Sequence, residues 1–124
     1  MLFLYRLFGF LYLMSGLWCA LQLDSASKFL GFQLVSPSGP VEFFSVYGGL
    51  QVGLGVAMLV SSFRPNYIEA SLYFSAIFST FLLLFRVLSF SIYGLISDFI
   101  VMFIIEIIIF SGLWWAWLKC RLPA

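Results

Sequence analysis

Three charged residues stand where an apolar chain makes charge expensive: Glu42, Arg86 and Glu106. Glu106 lies inside Phe103-Ile104-Ile105-Glu106-Ile107-Ile108-Ile109, and Arg86 inside Leu83-Leu84-Phe85-Arg86-Val87-Leu88. A lone charge at the centre of a bilayer costs at least about 2.5–3.5 kcal/mol on insertion scales. Pairing a guanidinium with a carboxylate offsets much of that cost. Two chemistries fit these residue types. One is a buried ion pair that fixes helix register. The other is a proton- or cation-sensing site, because intramembrane carboxylates mark such pathways. Gln51 is a further mid-span polar group, four residues after Tyr47. It can hydrogen-bond across helices or line a polar cavity.

Much other chemistry is missing from the chain. There is no histidine among the 124 residues, which removes Ser-His-Asp and Cys-His nucleophiles and ordinary zinc sites. Cys19 and Cys120 are far apart and form no CxxC pair, so both read as small membrane-buried side chains. No GxxxxGK[ST] loop, GxGxxG turn or basic cluster appears. The expectation is a protein that is not an enzyme, with no catalytic residue, no metal ligands and no cofactor. Hydrophobic residues make up 64% and charged residues 9%. A soluble domain has about 45–50% apolar and about 25% charged residues, so this chain cannot cover a water-facing surface. A formal charge of +1 offers no steering of polyanions, and nucleic acid is not an expected partner.

The elements that must position these charges are apolar runs. A helix needs about 20 apolar residues to cross roughly 30 Å of hydrocarbon. Four runs meet that length: 2–23, 43–63, 67–90 and 99–118. Their length, their lack of alternation and the need to satisfy backbone hydrogen bonds in lipid predict helices rather than barrel strands. The predicted fold is an all-α membrane protein, a single domain over 1–124 built as a bundle of four transmembrane helices. The apolar stretch 2–23 is too long for a secretory leader and carries Arg6, so it is expected to stay as a span.

Residues 24–41 form the long connection, which Pro37-Ser38-Gly39-Pro40 breaks. Its segment Lys28–Val35 is too apolar to float in water. It is expected to lie on the membrane as a short interfacial helix, or to pack as a cap. With four spans, both termini share a side with the 64–69 turn. Arg6, Arg64, Lys119 and Arg121 gather there, against Lys28 and the deeper Arg86 on the other side. The excess of positive charge predicts both termini in the cytoplasm. Trp114, Trp115 and Trp117 would anchor that face, and Trp18, Tyr47 and Tyr93 the other. Arg6 and Glu69 would pair near the inner face, or Arg6 would snorkel to headgroups.

This layout brings Arg86 and Glu106 to nearly one depth. Glu106 falls roughly 12 Å and Arg86 roughly 9 Å below the outer boundary at 1.5 Å per residue. Glu42 opens the second span within reach of an upward-pointing arginine. The second span also carries Ser45, Gly49, Gly53, Ala57 and Ser61 at unbroken four-residue spacing, one smooth helix face. Gly48, Gly55 and Ser62 form a second, looser small face, and Ser71, Ser75 and Ser79 a stripe on the third span. Such faces let helices approach closely in lipid. They serve packing within one bundle or a homo-oligomer interface, the expected partners being copies of the chain and membrane lipids.

Two stretches resemble a known group. Arg6-Leu7-Phe8-Gly9, continuing to Gly16, resembles the start of small four-span bacterial inner-membrane proteins of the DoxX-like kind. The run Glu42-Phe43-Phe44-Ser45-Val46-Tyr47-Gly48-Gly49-Leu50-Gln51-Val52-Gly53-Leu54-Gly55 is similar to the signature of a related family of about this length. In that signature an acidic or amide residue opens the second span, followed by Tyr-Gly-Gly. Arg86 matches the arginine of the family's third span; Glu106 matches nothing in the pattern. The resemblance implies a homotrimer with an envelope or cell-division role, and it supplies no established activity. The rival expectation is a small ion channel or proton-coupled transporter, lined by Gln51, Glu106 or the third-span serines.

Overall fold

In lipid the backbone has only itself to bond to, and apolar runs of this length close as helices. The computed structural model describes residues 1–122. Helix α1 covers Leu2–Leu21, the short α2 covers Leu23–Phe29, and α3 covers Ser38–Ser62. Helix α4 covers Ile68–Tyr93. After a turn and one 3-10 turn at Ser97–Phe99, α5 covers Ile100–Arg121. Among the described residues there is no strand. Four helices, beginning at Leu2, Ser38, Ile68 and Ser97, are long and apolar enough to cross a membrane. The fold is thus all-α with four membrane-length helices. Large apolar side chains such as Phe3, Phe74, Phe85 and Ile108 are left exposed along them, as lipid-facing surface requires.

The connection departs from its expected form at both ends. Its helix is Leu23–Phe29, earlier than Lys28–Val35, and 32–35 carry no helix. Gly31 turns the chain at φ +83°, a conformation open to glycine. The proline segment starts a helix where a break is expected. Pro37 caps Ser38–Glu42, and Pro40 lies in the first turn, where its missing N–H has no intrahelical role. The second span therefore begins five residues before Phe43, at Ser38. Within α3, residues Phe43–Leu50 widen into π-helical turns before α-helix resumes at Gln51. Such turns are rare and short in most proteins.

The chain divides into two compact units, 6–60 and 61–124 with 1–5. In the 6–60 unit, α1 and α3 meet backbone to backbone. A Cβ on Gly55 would stand 2.5 Å from the Leu13 nitrogen, and one on Gly16 2.6 Å from the Val52 nitrogen. Only hydrogen fits at either place. Above this contact Cys19, Ala26 and Phe43 are buried together, with Leu23, Leu30, Leu34 and Tyr47 packed around them. Phe43 stacks on Tyr47 at 4.9 Å, and Phe32 meets both rings edge-on at 5.6 and 5.1 Å. The connection is thus a packed cap on its own unit.

Candidate functional site

The second unit is built on an antiparallel hairpin of α4 and α5. Partners step down one helix as they step up the other. Phe90 meets Phe103, Arg86 meets Glu106, Thr80 meets Trp114, Tyr73 meets Trp117, and Glu69 meets Arg121. Gly94, at φ +90°, makes the turn that lets the hairpin close. The buried face of α4 is Leu72, Ser75, Ala76 and Ser79, and that of α5 is Ile109, Leu113 and Ala116. Each follows helical spacing, one stripe per helix.

Arg86 and Glu106 form the ion pair that their depths predict. Arg86 Nη2 donates to Glu106 Oε1 at 2.8 Å, and Nε donates to both carboxylate oxygens at 3.2 Å. The side chains are 23% and 10% exposed, so the pair is largely withdrawn from its surroundings. The guanidinium also lies 5.4 Å from the centre of the Phe99 ring. Ser89 donates to the Arg86 carbonyl at 2.7 Å. A cleft of about 240 Å³ opens beside the pair, lined by Arg86, Ser89, Tyr93 and apolar walls including Phe90 and Phe99.

The remaining expected residues fall elsewhere. Glu42 is exposed in the first turns of α3, and Gln51 is half-buried where α-helix resumes; both belong to the 6–60 unit. Ser45, Gly49, Gly53 and Ala57 are exposed, and Ser61 is half-buried. The looser face, with Gly48, Gly55 and Ser62, is the buried one. A Cβ on Gly53 would meet nothing within 4 Å. The serine stripe of α4 is engaged: Tyr5, fully buried, hydrogen-bonds Ser71 and Ser75, the latter at 3.0 Å. Ser79 donates to the Ala76 carbonyl at 3.1 Å.

The far end of the hairpin holds a second constellation, which the sequence reading does not assemble. Glu69 Oε1 lies 3.7 Å from Arg121 Nε. The Arg121 guanidinium covers the Trp117 ring at 5.0 Å, and Tyr73 leans on Trp117 at 5.0 Å. The three tryptophans expected to anchor together divide their work. Trp114 donates to Thr80 at 2.8 Å, Trp117 joins Tyr73, and Trp115 is exposed with Lys119 at 6.0 Å. Helical spacing keeps Trp114 and Trp117 on one face, their rings 5.4 Å apart, and turns Trp115 to another. Among the described residues no three metal-ligating side chains gather, and both thiols are free.

The fold and this site define an all-α, multi-pass membrane protein with an ion pair buried in a helical hairpin. No family model matches the chain, and no curated protein or solved structure matches it.

Proposed function

We propose that the protein is a non-enzymatic, self-associating component of the bacterial inner membrane, with both termini cytoplasmic, that supports the cell envelope or cell division. The observation that carries this reading is the division of labour on α3. Its Gly48/Gly55 face is used within the 6–60 unit, and its Ser45-Gly49-Gly53-Ala57 face is exposed and unobstructed at Gly53. In lipid, a small-residue face gains dispersion energy when another helix backbone lies in it. Within the resemblance carried by the Glu42–Gly55 run, the chain also looks similar to the trimeric bacterial inner-membrane protein AciT, which supports three copies.

The test is native mass spectrometry of the protein in lipid nanodiscs, for wild type and Gly53→Leu. Wild type is expected as a trimer. The variant is expected to fall to lower order with its helix content kept, because the new side chain meets nothing within 4 Å in its own chain. A wild-type monomer, or a variant trimer of unchanged stability, would overturn the reading.

The rival reading, a channel or proton-coupled transporter, is disfavoured by one observation. Glu106 is closed off by the Arg86 guanidinium, which repels the cations such a path must admit.

A further inference from the structure

The cleft at the Glu69 end of the hairpin measures about 470 Å³ and is lined by Asn66, Glu69, Ala70, Tyr73, Trp117 and Arg121. We propose that this cleft binds an aminoethyl phosphodiester, the headgroup chemistry of phosphatidylethanolamine, with the phosphate on Arg121 and the ammonium on Glu69. The site stands apart from the oligomer reading and from the Arg86–Glu106 pair.

Its position fits a headgroup. It is made by the first turns of α4 and the last turns of α5, both membrane-length helices, so it falls at a membrane boundary. Tryptophan and tyrosine are the side chains that settle at that depth.

Its charge fits a zwitterion. The 3.7 Å between Glu69 Oε1 and Arg121 Nε exceeds a hydrogen bond, and the side chains are 62% and 56% exposed. Each therefore keeps unused capacity. The guanidinium has further N–H donors for phosphate oxygens, and the carboxylate has lone pairs for an ammonium. A phosphodiester with no amine would meet the repulsion of Glu69 uncompensated.

The rings favour a primary over a quaternary amine. Trimethylammonium groups are held between free aromatic faces. Here Arg121 already covers Trp117, and Tyr73 leans on the same ring. The carboxylate of Glu69 and the amide oxygen of Asn66 accept hydrogen bonds, which only an amine bearing N–H supplies. Ala70, Tyr73 and Trp117 give an apolar strip for the glycerol and the first methylenes.

The test is native mass spectrometry of the full chain with an equimolar mixture of phosphatidylethanolamine, phosphatidylcholine and phosphatidylglycerol of matched acyl chains. The expected result is retention of phosphatidylethanolamine over each of the others by about three- to fivefold, the scale of an exposed charge pair. Glu69→Gln is expected to bring the ratio close to one, and Arg121→Gln to lower retention of all three lipids together, because each carries the phosphate. Lys119→Gln, which removes a neighbouring charge outside the cleft, is expected to keep it. Asn66→Leu leaves both charges in place. It is expected to lower the ratio over phosphatidylcholine about twofold, and it serves as the readout if a charge variant loses helix content. Competition with free glycerophosphoethanolamine separates the two sources of this chemistry. No displacement at matched concentration assigns the site to the lipid, and full displacement assigns it to the soluble headgroup. Equal retention of the three lipids, or a preference that survives Glu69→Gln, would overturn the proposal.

Discussion

At the scale of single residues, the Arg86–Glu106 pair sets the sharpest expectation. Removing one partner strands the other charge inside the hairpin, whereas removing both strands nothing. Glu106→Gln is expected to destabilise the protein by about 3 kcal/mol, the lower end for a buried pair because Arg86 keeps some exposure. The double variant Arg86→Leu with Glu106→Leu is expected to recover to within about 1 kcal/mol of wild type or to exceed it. Reversible unfolding in mixed micelles reads both values. A single variant as stable as wild type would remove the pair from the structural account. Tyr5→Phe is a smaller case. The hydroxyl held by Ser71 and Ser75 disappears, and a loss of about 1 kcal/mol is expected in the same assay. The Arg86–Glu106 pair was legible in the chain because each charge interrupts a long apolar run and the turn between those runs fixes their relative depth. The Glu69–Arg121 contact was not. Charges at span ends have water and headgroups as alternative partners, so spacing alone favours no pairing.

At the scale of elements, what matters is which face of α3 is spent inside the molecule. Gly55→Ala places a methyl 2.5 Å from the Leu13 nitrogen and 2.7 Å from the Gly9 carbonyl oxygen, and backbone cannot step aside as a flexible side chain can. The expected cost is about 1–3 kcal/mol, the scale of an overpacked core. Gly53→Ala, two residues away, meets nothing within 4 Å in its own chain and gains helix propensity, so the stability of the dissociated protomer is expected at or slightly above wild type. Thermal unfolding of the two variants side by side checks the contrast, and equal destabilisation would contradict the assignment of faces. Both small faces are visible in the chain. Which one packs internally is not, because glycine and alanine at four-residue spacing suit either partner. The spans themselves were legible from length and hydropathy alone. The π-helical turns at Phe43–Leu50 were not, because hydropathy records side chains and carries nothing about whether a backbone N–H reaches the fourth or the fifth carbonyl before it. The early start of α3 is hidden in Pro37-Ser38-Gly39-Pro40, whose composition matches a helix break as well as a helix start. Proline breaks a helix in its interior and suits one in its first turn.

At the scale of the whole molecule, the question is whether the buried polar groups amount to a path across the membrane. A path requires polar groups with free capacity, arranged in series and open to an ion. The groups placed in the hairpin are committed elsewhere. The carboxylate of Glu106 accepts three hydrogen bonds from Arg86, Ser79 bonds the carbonyl of Ala76, and Ser71 and Ser75 bond Tyr5. Trp114 and Thr80 satisfy one another, and Thr80 in turn donates to the Ala76 carbonyl at 2.7 Å. A proton or cation arriving at Glu106 would also meet a fixed positive charge, and in a low-dielectric setting that repulsion is large. Liposomes containing the purified protein are therefore expected to show no proton or monovalent-cation flux above empty liposomes, and Glu106→Gln should add none. Flux in wild type that disappears in Glu106→Gln, with helix content unchanged, would reverse the argument. The pair would then open during function, and the transport reading would replace the scaffold. The opposite result ties the three scales together. Charges that carry no ion would then serve to fix register, and a hairpin locked by Arg86 and Glu106 is the kind of rigid unit that the proposed self-association needs.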